Sequence, residues 1–234
     1  MFFFDPKYLL FMAPVMIFAM WAQWRVKRAF RIAEQVPVRM SGAELARAML
    51  NQNGLDSVGI EEVQGFLSDH YDPREKVLRL SPSVYRTKSA AAVGIAAHEA
   101  GHAIQDAQGY APLIIRNAAV PLAATGGNFS MIIFVAGLIL ASFVPTLGFG
   151  LILLGIVLFS FMVFFQLVNL PVEYDASHRA KVALAEMGIV DSHSAPEVDR
   201  VLNAAALTYV AATLSSIMTL LYLILRSGLL GGDD

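Results

Sequence analysis

Residues 118–172 read AAVPLAATGGNFSMIIFVAGLILASFVPTLGFGLILLGIVLFSFMVFFQLVNLPV and contain no Asp, Glu, Lys or Arg. A bilayer core of about 30 Å takes about 20 apolar residues of helix. This stretch, at about 55 residues, is too long for one crossing and right for two. Its natural break is Ser142-Phe143-Val144-Pro145-Thr146-Leu147-Gly148-Phe149-Gly150, where Pro and Gly cluster. The spacing predicts spans over 121–141 and 151–168. A second uncharged run, 201–225, predicts a span over 204–225. A third, 8–24, predicts one near the N-terminus. The whole chain of 234 residues is 56% hydrophobic and only 15% charged. A soluble domain of ordinary composition has about a quarter of its residues charged. The pattern is that of a mainly α integral membrane protein with about four transmembrane helices.

The N-terminal run follows Asp5, Pro6 and Lys7 and ends in Trp21, Gln23, Trp24 and Arg25. It has neither a basic leader nor a small-residue cleavage site. Tryptophans beside arginine are an interfacial anchor, so the run reads as a retained span. Between Arg25 and Arg116 lie 12 of the 17 Lys and Arg residues, and Arg179, Lys181 and Arg200 follow the third span. Basic loops stay in the cytoplasm, so these two segments are expected inside and both termini outside. The expected organisation is an anchor over 1–24, a cytoplasmic α+β segment over 25–116 and a transmembrane hairpin over 117–168. A cytoplasmic helix over 169–200 and a final span with its tail over 201–234 complete it. The net charge of −2 is uninformative about partners, and no basic run points to nucleic acid, so none is expected. With no cysteine there is neither a disulfide framework nor a thiolate metal site.

The first cytoplasmic segment has local signals. Ser41-Gly42-Ala43-Glu44 is a capping box, and Gly54 closes the helix it opens. Residues 57–64 and 65–70 read as short strands, Asp72-Pro73-Arg74-Glu75 as a turn, and 77–80 as a third strand. Ser89 caps a helix running to about Gln108, before Gly109 and Pro112. In the second segment, Asn169-Leu170-Pro171 reads as a new helix start that ends near Met187, stopped by Gly188. Ser194-Ala195-Pro196-Glu197 reads as another capping box.

Chemistry is concentrated in His98-Glu99-Ala100-Gly101-His102. Histidines four apart on a helix share one face, so two ring nitrogens can reach one ion. Glu99 stands one residue round the helix, able to take a proton from a metal-activated water without competing for the metal. This is the HExxH pattern. A catalytic zinc takes a third protein ligand and keeps one open position. The candidates are His70, Asp106, Glu173, Asp175, His178 and His193. Two spans separate His102 from Glu173, which returns the chain to the same membrane side. Glu173 also follows span three directly on a helix, which favours it, with His178 and His193 as alternatives.

The segment Ala96-Ala97-His98-Glu99-Ala100-Gly101-His102-Ala103-Ile104-Gln105 resembles the metal helix of the YugP-type bacterial membrane zinc metallopeptidases. Ser68-Asp69-His70-Tyr71-Asp72-Pro73, residues 169–177 and residues 204–210 resemble the same family, so the likeness covers nearly the whole chain. It is more distantly similar to the HtpX and CAAX-prenyl-protease group. There the third zinc ligand is a Glu in a Glu-x-Glu-Ala-Asp run. Glu173-Tyr174-Asp175-Ala176-Ser177 matches with Glu173 in the ligand position, and Ser177 replaces the closing acidic residue. The resemblance implies a zincin-like, gluzincin-type centre in the cytoplasmic part, one Zn2+ per chain on His98, His102 and Glu173, and Glu99 as general base. It also implies a bacterial inner-membrane protease acting on peptide or protein substrates.

Three further residues are candidates for supporting roles. Asp106, one turn past His102, is placed to orient its imidazole. His193 or Tyr209 is placed to stabilise the oxyanion of a tetrahedral intermediate. Residues 77–80 are a candidate strand edge for extended substrate. The competing function is a non-catalytic zinc-containing membrane scaffold or adaptor, which would have no need of Glu99. A transporter would need ionisable residues within the spans, and none of the four predicted spans holds an Asp, Glu, Lys, Arg or His. An oligomer or a membrane partner protein is left open.

Overall fold

The computed structural model describes residues 6–229. Its elements are α1 Pro6–Ala33, α2 Gly42–Gln52, β1 Gly59–Glu62, β2 His70–Asp72, β3 Val77–Leu80, α3 Pro82–Tyr85, α4 Ala90–Ala107, α5 Ala111–Ala141, α6 Pro145–Glu186 and α7 Ala195–Arg226. The fold is mainly helical with one small sheet. Among the described residues, four helices are long and apolar enough to cross a membrane: Tyr8–Ala33, Ala111–Ala141, Pro145–Glu186 and Ala195–Arg226. The chain divides into two compact units.

The first unit takes Met1–Met20, Ile115–Asn169 and Tyr209–Asp234. Here α5 and α6 meet through small residues. A Cβ on Gly126 would sit 2.5 Å from the Leu158 carbonyl oxygen, and one on Gly155 would sit 2.8 Å from the Phe134 Cβ. Apolar helices in lipid gain nothing by burying apolar surface against one another, so close backbone approach has to hold them. Phe134, Ile152, Ile156, Tyr222 and Leu223 form the buried centre, with the Tyr8 and Tyr222 rings edge to face at 4.8 Å. Leu10, Ile132 and Phe143 point outward, as lipid-facing side chains do. The turn between α5 and α6 is Ser142–Val144, with Pro145 in the first position of α6, inside the break that the Pro and Gly cluster predicts.

The second unit takes Trp21–Ile114 and Leu170–Thr208. The Ser41 capping box forms, with Ser41 Oγ accepting from the Glu44 N–H at 3.3 Å and Glu44 Oε2 accepting from the Ser41 N–H at 2.7 Å. Gly54 follows at φ +69°, in the left-handed region that ends a helix. The sheet order is β1-β3-β2, with β1 parallel and β2 antiparallel to β3. The second strand lies at His70–Asp72 and not at 65–70, because Gly65 (φ +124°) and Leu67 (φ +54°) leave the extended region. The turn signal forms as an Asx turn, Asp72 Oδ1 accepting from the N–H groups of Arg74 and Glu75. Ser89 caps α4 by accepting from the Ala92 N–H at 3.2 Å.

Two helix starts differ from expectation. No new helix begins at 169, since α6 runs unbroken through Pro171. Proline removes one backbone bond and crowds the carbonyl four residues earlier. Pro171 and Leu167 are both exposed, so the weakened turn lies on the outward face, away from the packed one. Ser194 and Glu197 do not form a capping box. Ser194 closes a ring with Asp191 instead, whose Oδ1 accepts from the Ser194 N–H and hydroxyl, while Glu197 pairs with Arg200.

Replacement of Gly155 by Ala is expected to destabilise the protein by about 1–3 kcal/mol through overpacking against Phe134. Gly150→Ala, where a Cβ would meet nothing within 4 Å, should be neutral or slightly stabilising. Thermal unfolding of both variants in detergent checks the contrast.

Candidate metal centre

Helix α4 carries the HExxH motif on an almost wholly buried scaffold of small residues, with Ala90, Ala91, Ala92, Ala96, Ala97 and Ala100 fully inaccessible. Gly101 faces the α6 backbone. A Cβ there would lie 2.9 Å from the Ala176 carbonyl oxygen and 3.3 Å from the Ala176 Cα. The missing side chain lets the two helices approach closely, and Glu173, three residues before Ala176, comes opposite the histidines. Glu173 Oε2 lies 3.1 Å from His98 Nε2 and 3.5 Å from His102 Nε2. The three ligand atoms lie within 4.8 Å of one another, and all three side chains are buried or nearly so.

The other face of each imidazole is also engaged. His98 Nδ1 lies 3.1 Å from Ser177 Oγ. His102 Nδ1 lies 2.9 Å from Oε1 of Gln105, which is fully buried. The Gln105 amide nitrogen donates to the Val172 carbonyl at 2.9 Å and to Asp175 Oδ2 at 2.7 Å. With both amide hydrogens so placed, Gln105 Oε1 acts as acceptor and His102 Nδ1 carries the proton. In the neutral ring, His102 Nε2 then presents its lone pair toward the Glu173 carboxylate oxygen 3.5 Å away. Either a proton or a metal ion between them satisfies that contact, and the group of three side chains could hold a metal ion.

A divalent ion fits this donor set. Zn–N and Zn–O bonds of about 2.0–2.1 Å in a tetrahedron put neighbouring ligand atoms about 3.3 Å apart, close to the two separations seen. Two neutral imidazoles and one carboxylate are also the donor chemistry of catalytic zinc. Glu99 is buried beside the cluster, at 9% exposure. Burial pushes its carboxyl upward from the ordinary carboxylate range, opposed by the neighbouring His98 and His102 and reinforced by Glu173 and Asp69. For His102, burial works against the charged form, but Glu173 and Glu99 outweigh it and raise the imidazole.

Asp106 does not orient His102. It accepts from the Tyr71 hydroxyl at 2.8 Å and pairs with Lys76, so it ties α4 to the β2–β3 hairpin. Gln105, one residue earlier, is the one that turns inward. Nothing in a lone Gln between Ile104 and Asp106 marks it in the sequence. Its burial is what singles it out. Asp175 holds the Gln105 amide and Arg179. His178 is exposed, and so is His70, whose Nδ1 lies 2.8 Å from the Ser68 carbonyl oxygen. His193 is exposed in the loop before α7, its N–H donating to Asp191. Tyr209 lies on α7 in the first unit, its carbonyl accepting from the Thr213 hydroxyl at 2.9 Å. Strand β3 is not an edge, because β1 and β2 occupy its two sides.

The sequence profile of a family described as "Putative neutral zinc metallopeptidase" matches residues 8–228. The protein named "Putative membrane protease YugP" from Bacillus subtilis (strain 168) is 43% identical over 203 residues, covering 86% of this chain and 88% of that protein. No solved structure matches. The profile takes in α4 and α6 whole, with every residue that converges on His98, His102 and Glu173, and the chain belongs to that zinc metallopeptidase family.

Proposed function

We propose that the chain is a zinc-dependent endopeptidase of the bacterial inner membrane, with its active site on the cytoplasmic side. His98, His102 and Glu173 hold one Zn2+, and Glu99 is the general base. The observation that carries this reading is the convergence of two imidazole Nε2 atoms on one carboxylate oxygen beside a second, buried carboxylate. A zinc ion held by these three residues would supply Lewis acidity and activate a water for attack. Glu99 accepts the proton of the attacking water and later delivers it to the leaving amine. Gln105 and Ser177 keep the two imidazoles turned with Nε2 inward. Water being the nucleophile, no covalent enzyme intermediate forms.

The cytoplasmic assignment rests on the Lys and Arg content of the segments 25–116 and 169–200, which between them carry His98, His102 and Glu173. Peptide or protein substrate and the lipid bilayer are the proposed partners.

Glu99→Gln should retain stoichiometric zinc and lose hydrolysis by about 10²–10⁴-fold; equal turnover by wild type and variant would reject Glu99 as the base. Glu173→Ala is expected to lose zinc on purification, read by elemental analysis, and unchanged metal content would remove Glu173 from the site. Gln105→Leu should weaken zinc about 10–100-fold in a chelator competition, with Glu99→Gln near wild type in the same assay.

A further inference from the structure

Both tryptophans of the chain, Trp21 and Trp24, stand at the end of the uncharged run of α1 and line one cavity of about 400 Å³ in the second unit. Arg25 lies over the Trp21 ring at 5.2 Å and Arg28 over the Trp24 ring at 5.2 Å. These cation–π contacts hold each guanidinium against an indole face, and its N–H groups turned away from the ring are left for an anion. A third guanidinium, that of Arg200, reaches the same cavity from the start of α7. Ala29 and Ile32 supply an apolar wall.

The charge here is not balanced. Arg200 pairs with Glu197, but no ion pair to Arg25 or Arg28 is formed by any of the described residues. We propose that this cavity binds the phosphate-bearing headgroup of an anionic phospholipid. The site lies where α1 leaves its apolar run, and indole rings at 41% and 50% exposure, with exposed Ile32 beside them, suit the headgroup boundary of a bilayer. Arginines that only reach for the water surface need no partner from a second helix. Arg200, far along the chain, joining Arg25 and Arg28 makes a basic pocket between helices, of the kind that takes anionic headgroups. Bidentate guanidinium donors match a phosphodiester in both charge and geometry.

The chain contains just these two tryptophans, so its tryptophan fluorescence, excited selectively over tyrosine, reports this cavity alone. The full chain is reconstituted in phosphatidylcholine bilayers containing phosphatidylglycerol, with bromine on the acyl chains of one lipid or the other. At physiological salt, brominated phosphatidylglycerol should quench as though enriched about five-fold beside the indoles. Arg25→Gln with Arg28→Gln should abolish that enrichment. Arg200→Gln made together with Glu197→Gln, which leaves no buried charge alone, should lower it too. Excess inorganic phosphate should leave the wild-type enrichment intact. Equal quenching by the two lipids in wild type would overturn the proposal. So would enrichment untouched by the Arg200 and Glu197 pair, which would trace it to diffuse charge on α1, and so would loss of enrichment to inorganic phosphate, which would assign the cavity to a soluble anion.

Discussion

The contact on which the second unit turns is the approach of α4 to α6 at Gly101 and Ala176. With no Cβ on Gly101, the two backbones pass within a distance that any other side chain would forbid. That spacing brings Glu173 Oε2 to both Nε2 atoms and lets Gln105 reach the Val172 carbonyl across the interface. A shift of an ångström would separate the donor atoms beyond the reach of one ion. The flanking alanines of α4 serve the same end, giving a smooth, fully buried surface against which neighbouring elements can approach closely.

Around the cluster, each histidine is held by a neutral group. Ser177 meets His98 and Gln105 meets His102. The nearest carboxylate behind them, Asp175, acts through the Gln105 amide and is itself held by Arg179. A carboxylate placed directly on a ligating imidazole raises its basicity. Here that charge is one residue removed, so the imidazoles are oriented chiefly by geometry.

The first unit obeys a different rule. Its helices cannot gain by burying apolar surface against one another, since lipid is equally apolar. Gly126 and Gly155 therefore matter for the same reason as Gly101, by permitting backbone contact, although no chemistry depends on them. Pro171 illustrates how α6 tolerates a helix breaker. The proline and the turn it weakens face outward, and Val172 and Glu173 on the packed side keep their places.

What the sequence determined by itself is whatever depends on neighbours a few residues away. The four long apolar helices, the Ser41 and Ser89 caps, the Asp72 turn and the one-turn spacing of His98 and His102 all follow from local hydrogen bonds or from the length of an uncharged run. Glu173 could be singled out because counting spans brings it back to the side of His102. Tertiary structure alone decided the rest. Gln105 and Asp106 lie three and four residues past His102, both within reach by helical spacing, and only packing turns the first toward the imidazole and the second toward Tyr71 and Lys76. The displaced second strand, the continuous α6 and the pairing of Ser194 with Asp191 were likewise set by backbone conformation and by partners that local patterns do not encode.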